Sequence, residues 1–184
     1  MVRTPSVMVP LGSPAAPFAL PDPNGNVVRL DDLDTSNGLL VMFICNHCPY
    51  VQHVADDLAK ATREFLDESI AVVGISSNDV EQYPEDGPEA MGREAKRRGY
   101  AFPYLYDESQ DVAKAYQAAC TPDLYVFDAS LACVYHGQFD DSRPNSGRGA
   151  TGRDLRHALD AVIDGQPVSP DQKPSVGCNI KWKS

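Results

Sequence analysis

Positive charge is scarce in this chain. It carries 16 Lys and Arg against 26 Asp and Glu, a formal net charge of −10. With no basic cluster anywhere, that balance argues against nucleic acid and against anionic membrane surfaces as partners. No apolar run is long enough to span a bilayer. Residues 1–11 have one Arg and no apolar stretch of the length a secretory leader needs. A cytoplasmic location is therefore expected, with no membrane partner. Repeats, low-complexity tracts and interior linkers are also missing. Cysteine is sparse, 5 residues at uneven spacing. An odd number so placed does not read as a secreted disulfide framework. In a reducing compartment a pair of them would rest mostly as dithiol or cycle. At 184 residues the chain is long enough for one domain with a sizeable core and too short for two ordinary ones.

The stretch 39–65 organises the rest. Leu39 to Ile44 has the length and composition of a strand buried on both faces. It runs into Cys45-Asn46-His47-Cys48-Pro49. A helical pattern follows at once, with Val51, Val54, Leu58, Ala61 and Phe65 on one face. Two cysteines two residues apart thus sit where a buried strand becomes a helix. Unpaired N–H groups and the helix dipole stabilise a thiolate there. A free thiol titrates near about 8.5, and such a position or a Cys-x-x-Cys lowers it toward roughly 7 or below.

Four prolines make residues 1–17 an expected irregular arm. Asn24-Gly25 between short strand-like runs signals a hairpin. Ile70–Ser76 reads as a strand, Pro88–Arg98 as a helix ending near Gly99, and Phe102–Tyr106 as a weaker strand. A short helix over Val112–Ala119 follows, then a Pro-led strand at Cys120–Asp128 and its hairpin partner at Leu131–Gln138. Asp154–Ile163 is the last helix. Strand-helix-strand, then an antiparallel pair and a helix, predicts an α/β fold with a mixed sheet.

Cys45-Asn46-His47-Cys48-Pro49-Tyr50-Val51 together with Thr121-Pro122 resembles the thioredoxin superfamily. More narrowly, the chain looks like a peroxiredoxin-like branch, of the alkyl hydroperoxide reductase and thiol-specific antioxidant type, that carries a Cys-x-x-Cys. Pro17 to Asp22 with Gly25, Cys120 to Asp123, Tyr135-His136-Gly137 with Asp140-Asp141, and Gly177 to Trp182 are similar to further blocks of that branch. The resemblance implies a thioredoxin-like fold: a central mixed sheet, helices on both faces, an N-terminal hairpin extension. The domain is expected over 1–165, with 166–184 a C-terminal tail packed on it. The resemblance also implies a redox-active dithiol faced by a cis Pro122, whose neighbours, Thr121 included, offer backbone groups to an extended substrate. The pattern departs from true peroxiredoxins at three places. Cys45 stands where Thr or Ser is expected and Val41 where Pro is expected, and no Arg lies in 120–124. Without that hydroxyl and guanidinium, peroxide reduction loses its electrostatic support.

The leading expectation is a thiol–disulfide oxidoreductase acting through Cys45 and Cys48 with no bound cofactor. Its partners would be protein or small-molecule thiols and disulfides and a reductant such as a thioredoxin or glutathione system. Alternatives are an antioxidant thiol peroxidase using Cys48, a zinc- or copper-binding protein using the cysteines with His47 or His53, and a thioredoxin-fold interaction module with an idle dithiol. Analogy with thioredoxins makes Cys45 the exposed attacking sulfur and Cys48 the resolving one. Pro49 at a first helical position instead favours Cys48 as the cap residue and better thiolate. The sequence leaves that choice open, along with oligomeric state. His47, if protonated, would favour a nearby thiolate; the plain alternative is a turn residue in solvent. Cys120, two residues before Pro122, is either a third redox partner or a small buried hydrophobe. Cys133 reads as structural. For Cys178, Ile180 and Trp182 favour a tail that packs on the body over a thiol that reaches the dithiol. Asn78, Asp79, Asp140 and Asp141 read as a solvated loop face.

Overall fold

Burial on both faces of one strand sets the architecture. The computed structural model describes residues 3–183. In chain order these form β1 (Arg3–Pro5), β2 (Ala19–Pro21), β3 (Val27–Arg29), β4 (Leu39–Phe43), α1 (Pro49–Asp67), β5 (Ala71–Ser76), α2 (Pro88–Arg98) and β6 (Tyr104–Tyr106). Then come α3 (Asp111–Ala115), β7 (Cys120–Thr121), β8 (Asp123–Phe127), β9 (Cys133–Gly137), α4 (Arg153–Ile163) and β10 (Val176–Asn179).

Five strands make the main sheet in the order β6-β5-β4-β8-β9. β4, β5 and β6 run parallel, while β8 lies antiparallel to β4 and to β9. Every residue of central β4 is buried. Its alternate side chains feed two cores, as a period of two requires. Leu40, Met42 and Ile44 pack with the apolar stripe of α1, with Met91 of α2 and with Leu155 and Leu159 of α4. Leu39, Val41 and Phe43 face the other way, against Phe18 and Leu20 of the hairpin, Ala113 of α3 and Ile180 of the tail. Each such large side chain contributes about 1.5–3 kcal/mol by burial. The fold is therefore the expected mixed-sheet α/β, with the N-terminal hairpin β2–β3 as its extension. Asp22 closes that hairpin by accepting the Asn24 and Asn26 N–H groups at 2.8 and 2.9 Å.

Two expectations change. The arm 1–17 is not wholly irregular, because Arg3–Pro5 forms β1. The tail does more than pack: β10 lies between β1 and β7 in a second, three-stranded sheet. Its register sets Arg3 and Thr121 on either side of Cys178. Ile180 is buried as expected, but Trp182 is 41% exposed and seals nothing. No helix among the described residues is long and apolar enough to cross a membrane.

Candidate active site

The helix α1 begins where its sequence allows. Pro49 occupies the first helical position, where its missing N–H costs nothing, and Cys48 is the N-cap residue in extended conformation. Val51 N–H approaches the Cys48 sulfur without closing a capping hydrogen bond. Across from the loop, the Thr121–Pro122 peptide bond is cis. Thr121 meets both sulfurs of the motif: its Oγ1 lies 3.3 Å from Cys45 Sγ and its carbonyl oxygen 3.2 Å from Cys48 Sγ. A third sulfur completes the group. Cys178 Sγ, from β10, lies 2.8 Å from Cys48 Sγ. The tail thiol thus reaches the dithiol, against the expectation of mere packing.

All three sulfurs are enclosed. Relative exposure is 2% at Cys45, 0% at Cys48 and 2% at Cys178. The expected exposed Cys45 is not found; it is covered almost as fully as its partner. The charge is nevertheless distributed in a definite way. Hydrogen bonds from the Cys178 and Cys45 thiols, helped by Val51 N–H and the Thr121 hydroxyl, hold Cys48 well below the ordinary thiol range despite burial. The Thr121 carbonyl works the other way, since it accepts only from the protonated form, but the donors outnumber it. Cys45 is pushed up by its hydrogen bond to Cys48, by burial and by the Asp86 charge. Cys178 is pushed up by its own bond to Cys48 and by burial. Of the three, Cys48 is the sulfur whose surroundings most favour the thiolate.

Asp86, which no local pattern singles out, holds the loop between the cysteines. It is fully buried in the turn before α2. Oδ1 accepts the N–H groups of Asn46 and His47 at 2.7 and 3.2 Å. Oδ2 accepts His47 Nδ1 at 2.5 Å and the Asn78 amide at 2.8 Å. His47 stacks on Tyr83, ring centroids 5.1 Å apart. Its Nε2 is buried and has no hydrogen-bond partner. The hydrogen bond to Asp86 raises the His47 pKa against the opposing effect of burial. Cys45 Sγ, a His47 ring nitrogen and an Asp86 oxygen lie within 4.8 Å of one another, close enough to share a metal ion. The Asp86 oxygens already accept four hydrogen bonds, so the carboxylate is committed to the loop and to His47.

A model of the AhpC/TSA family matches residues 11–135. The chain belongs to the AhpC/TSA family. Comparison with the curated proteins gives no match. Among solved structures, this AhpC/TSA protein is 55% identical to an uncharacterized conserved protein from Geobacillus kaustophilus, with a TM-score of 0.97 over 100% of this chain and 97% of that one. It is 50% identical to a hypothetical protein from Sinorhizobium meliloti 1021, at a TM-score of 0.96 over 98% and 99% of the two chains. The thioredoxin domain of a thiol-disulfide oxidoreductase from Bacteroides vulgatus superimposes with a TM-score of 0.59 at 20% identity, over 74% of this chain and 91% of that one. That last likeness shows the thioredoxin-like fold.

The remaining candidates of this AhpC/TSA protein fall outside the sulfur cluster. The Cys120 thiol turns to Ser6 Oγ at 3.9 Å and the Pro122 carbonyl at 3.8 Å, and burial pushes its pKa up. Neither Cys45 nor Cys48 is among its hydrogen-bond partners. Cys133 is buried, its pKa raised to about 11 by desolvation. His53 bonds Ser142 at 3.0 Å. The loop-face reading fails for Asn78, Asp79 and Asp140, which are buried, and holds for exposed Asp141. Asn78 Oδ1 accepts the Lys181 N–H at 2.8 Å, so one residue ties the tail to Asp86. Asp140 gathers the N–H groups of Ser142, Thr151 and Gly152 and so shapes the loop before α4. The cis-Pro edge is not open either, because β10 pairs with β7 along it.

The His47–Asp86 pair is directly testable. A ring-proton titration of His47 is expected to give a midpoint above the ordinary 6.5. Its contribution to stability is complete below that ordinary value and is lost as pH rises through the raised midpoint. Asp86→Asn should return the midpoint toward 6.5 or below. A wild-type midpoint at or under that value overturns the pairing.

Proposed function

We propose that this redox protein is a thiol–disulfide oxidoreductase that works through Cys45 and Cys48. The observation that carries the reading is the sulfur cluster at the start of α1, in which Thr121 touches both Cys45 and Cys48 and Cys178 lies 2.8 Å from Cys48. Cys45 passes its proton to Cys48 and attacks a substrate disulfide. One substrate sulfur leaves as thiolate and takes that proton from Cys48, and the other is held in a mixed disulfide with Cys45. In the protonated form that Asp86 favours, the buried, unpartnered Nε2–H of His47 offers a hydrogen bond to the departing sulfur. The Cys48 thiolate then attacks Cys45 Sγ, releases the second substrate thiolate and closes the Cys45–Cys48 disulfide. A thioredoxin or glutathione system would restore the dithiol.

The low pKa of Cys48 favours a second reading, a thiol peroxidase, because the thiolate is the nucleophile in both reactions. The Thr121 carbonyl oxygen, 3.2 Å from Cys48 Sγ, is however an acceptor that cannot stabilise a departing hydroxide, and no Arg lies in 120–124 to do so. The test compares the two oxidants on the reduced protein. A small disulfide should oxidise it far faster than hydrogen peroxide does, and Cys45→Ser should lose exchange by orders of magnitude. Faster oxidation by peroxide, or full exchange in Cys45→Ser, would sink the proposal.

A further inference from the structure

The second sheet delivers Cys178 to Cys48 with little freedom. β10 lies between β1 and β7, in a register that sets Cys178 opposite Thr121. Thr121 is the residue whose hydroxyl and carbonyl touch Cys45 and Cys48. The preceding residue must be glycine for this to occur. A Cβ on Gly177 would lie 1.9 Å from the Thr121 carbonyl oxygen. The strand thus lies against the cis-Pro edge, where an extended partner adds by strand pairing. In place of a partner it presents a cysteine of the same chain. At 2.8 Å the two sulfurs are closer than an ordinary non-bonded contact and longer than the roughly 2.05 Å of a disulfide.

We infer that Cys178 is a third redox cysteine, which takes over the disulfide first formed between Cys45 and Cys48. The inference rests on the oxidoreductase reading above, since that reaction makes the disulfide passed on. Cys178 attacks Cys48 Sγ of the Cys45–Cys48 disulfide. The Cys48–Cys178 bond forms and the Cys45–Cys48 bond breaks. Cys45 departs as a thiolate and takes the proton that Cys178 gives up. Nothing is oxidised or reduced overall, so no further reagent is needed.

The exchange has two consequences. Cys45, the sulfur proposed to meet substrate, becomes a thiol again while the oxidising equivalent rests on two enclosed sulfurs. The cross-link also joins residues 130 apart, and so ties β10 to the start of α1. The Cys45–Cys48 bond closes only a small local ring. The oxidised form carrying the long cross-link should therefore unfold at clearly higher denaturant concentration than the reduced form.

The test uses the full chain as wild type, Cys45→Ser and Cys178→Ser. Each is oxidised with oxidised glutathione, quenched in acid, and mapped by mass spectrometry after blocking of the remaining thiols under denaturing conditions. In Cys45→Ser, incubated to completion because its exchange is expected to be orders of magnitude slower than wild type, the expected end product is an intramolecular Cys48–Cys178 disulfide with no glutathione retained and a raised unfolding midpoint. In wild type, Cys45–Cys48 should appear first and Cys48–Cys178 after it; Cys178→Ser should lose the second species entirely. A wild type that stops at Cys45–Cys48, with Cys45→Ser holding glutathione on Cys48, overturns the inference and leaves the oxidoreductase reading standing. Absence of Cys45–Cys48 from both wild type and Cys178→Ser overturns the oxidoreductase reading, and the relay with it.

Discussion

Gly177→Ala is expected to detach the C-terminal strand while the main sheet survives. The added methyl would meet backbone atoms only: the Thr121 carbonyl oxygen at 1.9 Å, its carbon at 2.6 Å and Pro122 N at 3.2 Å. No side chain can rotate to make room, so β10 must move away from β7. Overpacking of this kind costs typically about 1–3 kcal/mol, and a backbone collision belongs at or beyond the upper end. The five-stranded sheet makes no strand pairing with β10, so cooperative unfolding of the domain should persist at a lower denaturant midpoint. Amide protection should fall selectively in β1, β7 and β10. The same change uncovers Cys48, and its reaction with a soluble alkylating agent should quicken by at least about tenfold, the equivalent of roughly 1.4 kcal/mol in opening. An unchanged midpoint with unchanged protection of β10 would refute the packing described for Gly177.

Asp86→Ala carries the second large effect. The carboxylate accepts from two backbone N–H groups of the Cys-x-x-Cys loop, from the His47 ring and from the Asn78 amide. Each buried donor left without an acceptor costs on the order of 1–3 kcal/mol, and a broken buried charge pair costs about 3–5 kcal/mol in all. Alanine removes every acceptor, whereas asparagine keeps one oxygen for the loop amides and loses the charge. The expected order of stability is therefore wild type, Asp86→Asn, Asp86→Ala, read from denaturant midpoints. Exchange should also fall in both variants. In alanine the loop that presents Cys45 is no longer pinned; in asparagine the loop is held but His47 titrates lower. An alanine variant as stable as asparagine would mean that the loop amides find other acceptors and that Asp86 does not organise the site.

The parts of the site that lie within one stretch were legible in the sequence. A buried strand, a Cys-x-x-Cys, a proline and an amphipathic helix follow one another between Leu39 and Phe65, and their periods of two and 3.6 fix which side chains face inward. Pro49 placed Cys48 at the cap because the ring fits only where an N–H is not needed. Asp86 was not legible. It lies forty positions from Asn46, in a turn where proline and glycine explain its neighbourhood without it. The tail misled for a similar reason. Trp182 looked like the packing anchor but stays in solvent, while Cys178 and Gly177 make the close contacts.

The sequence by itself determined the fold class, the hairpin extension, the position of the two motif cysteines and the helix that begins at them. Those follow from local hydrophobic period and from the restricted backbone of proline and glycine. Only the tertiary structure decided that three sulfurs meet, that the surroundings of the middle one favour its thiolate, and that a buried carboxylate holds the loop between the motif cysteines. Those depend on strand pairing between the two ends of the chain and on enclosure from water, which gives each hydrogen bond and charge its weight. Neither leaves a periodic trace along the residues it joins.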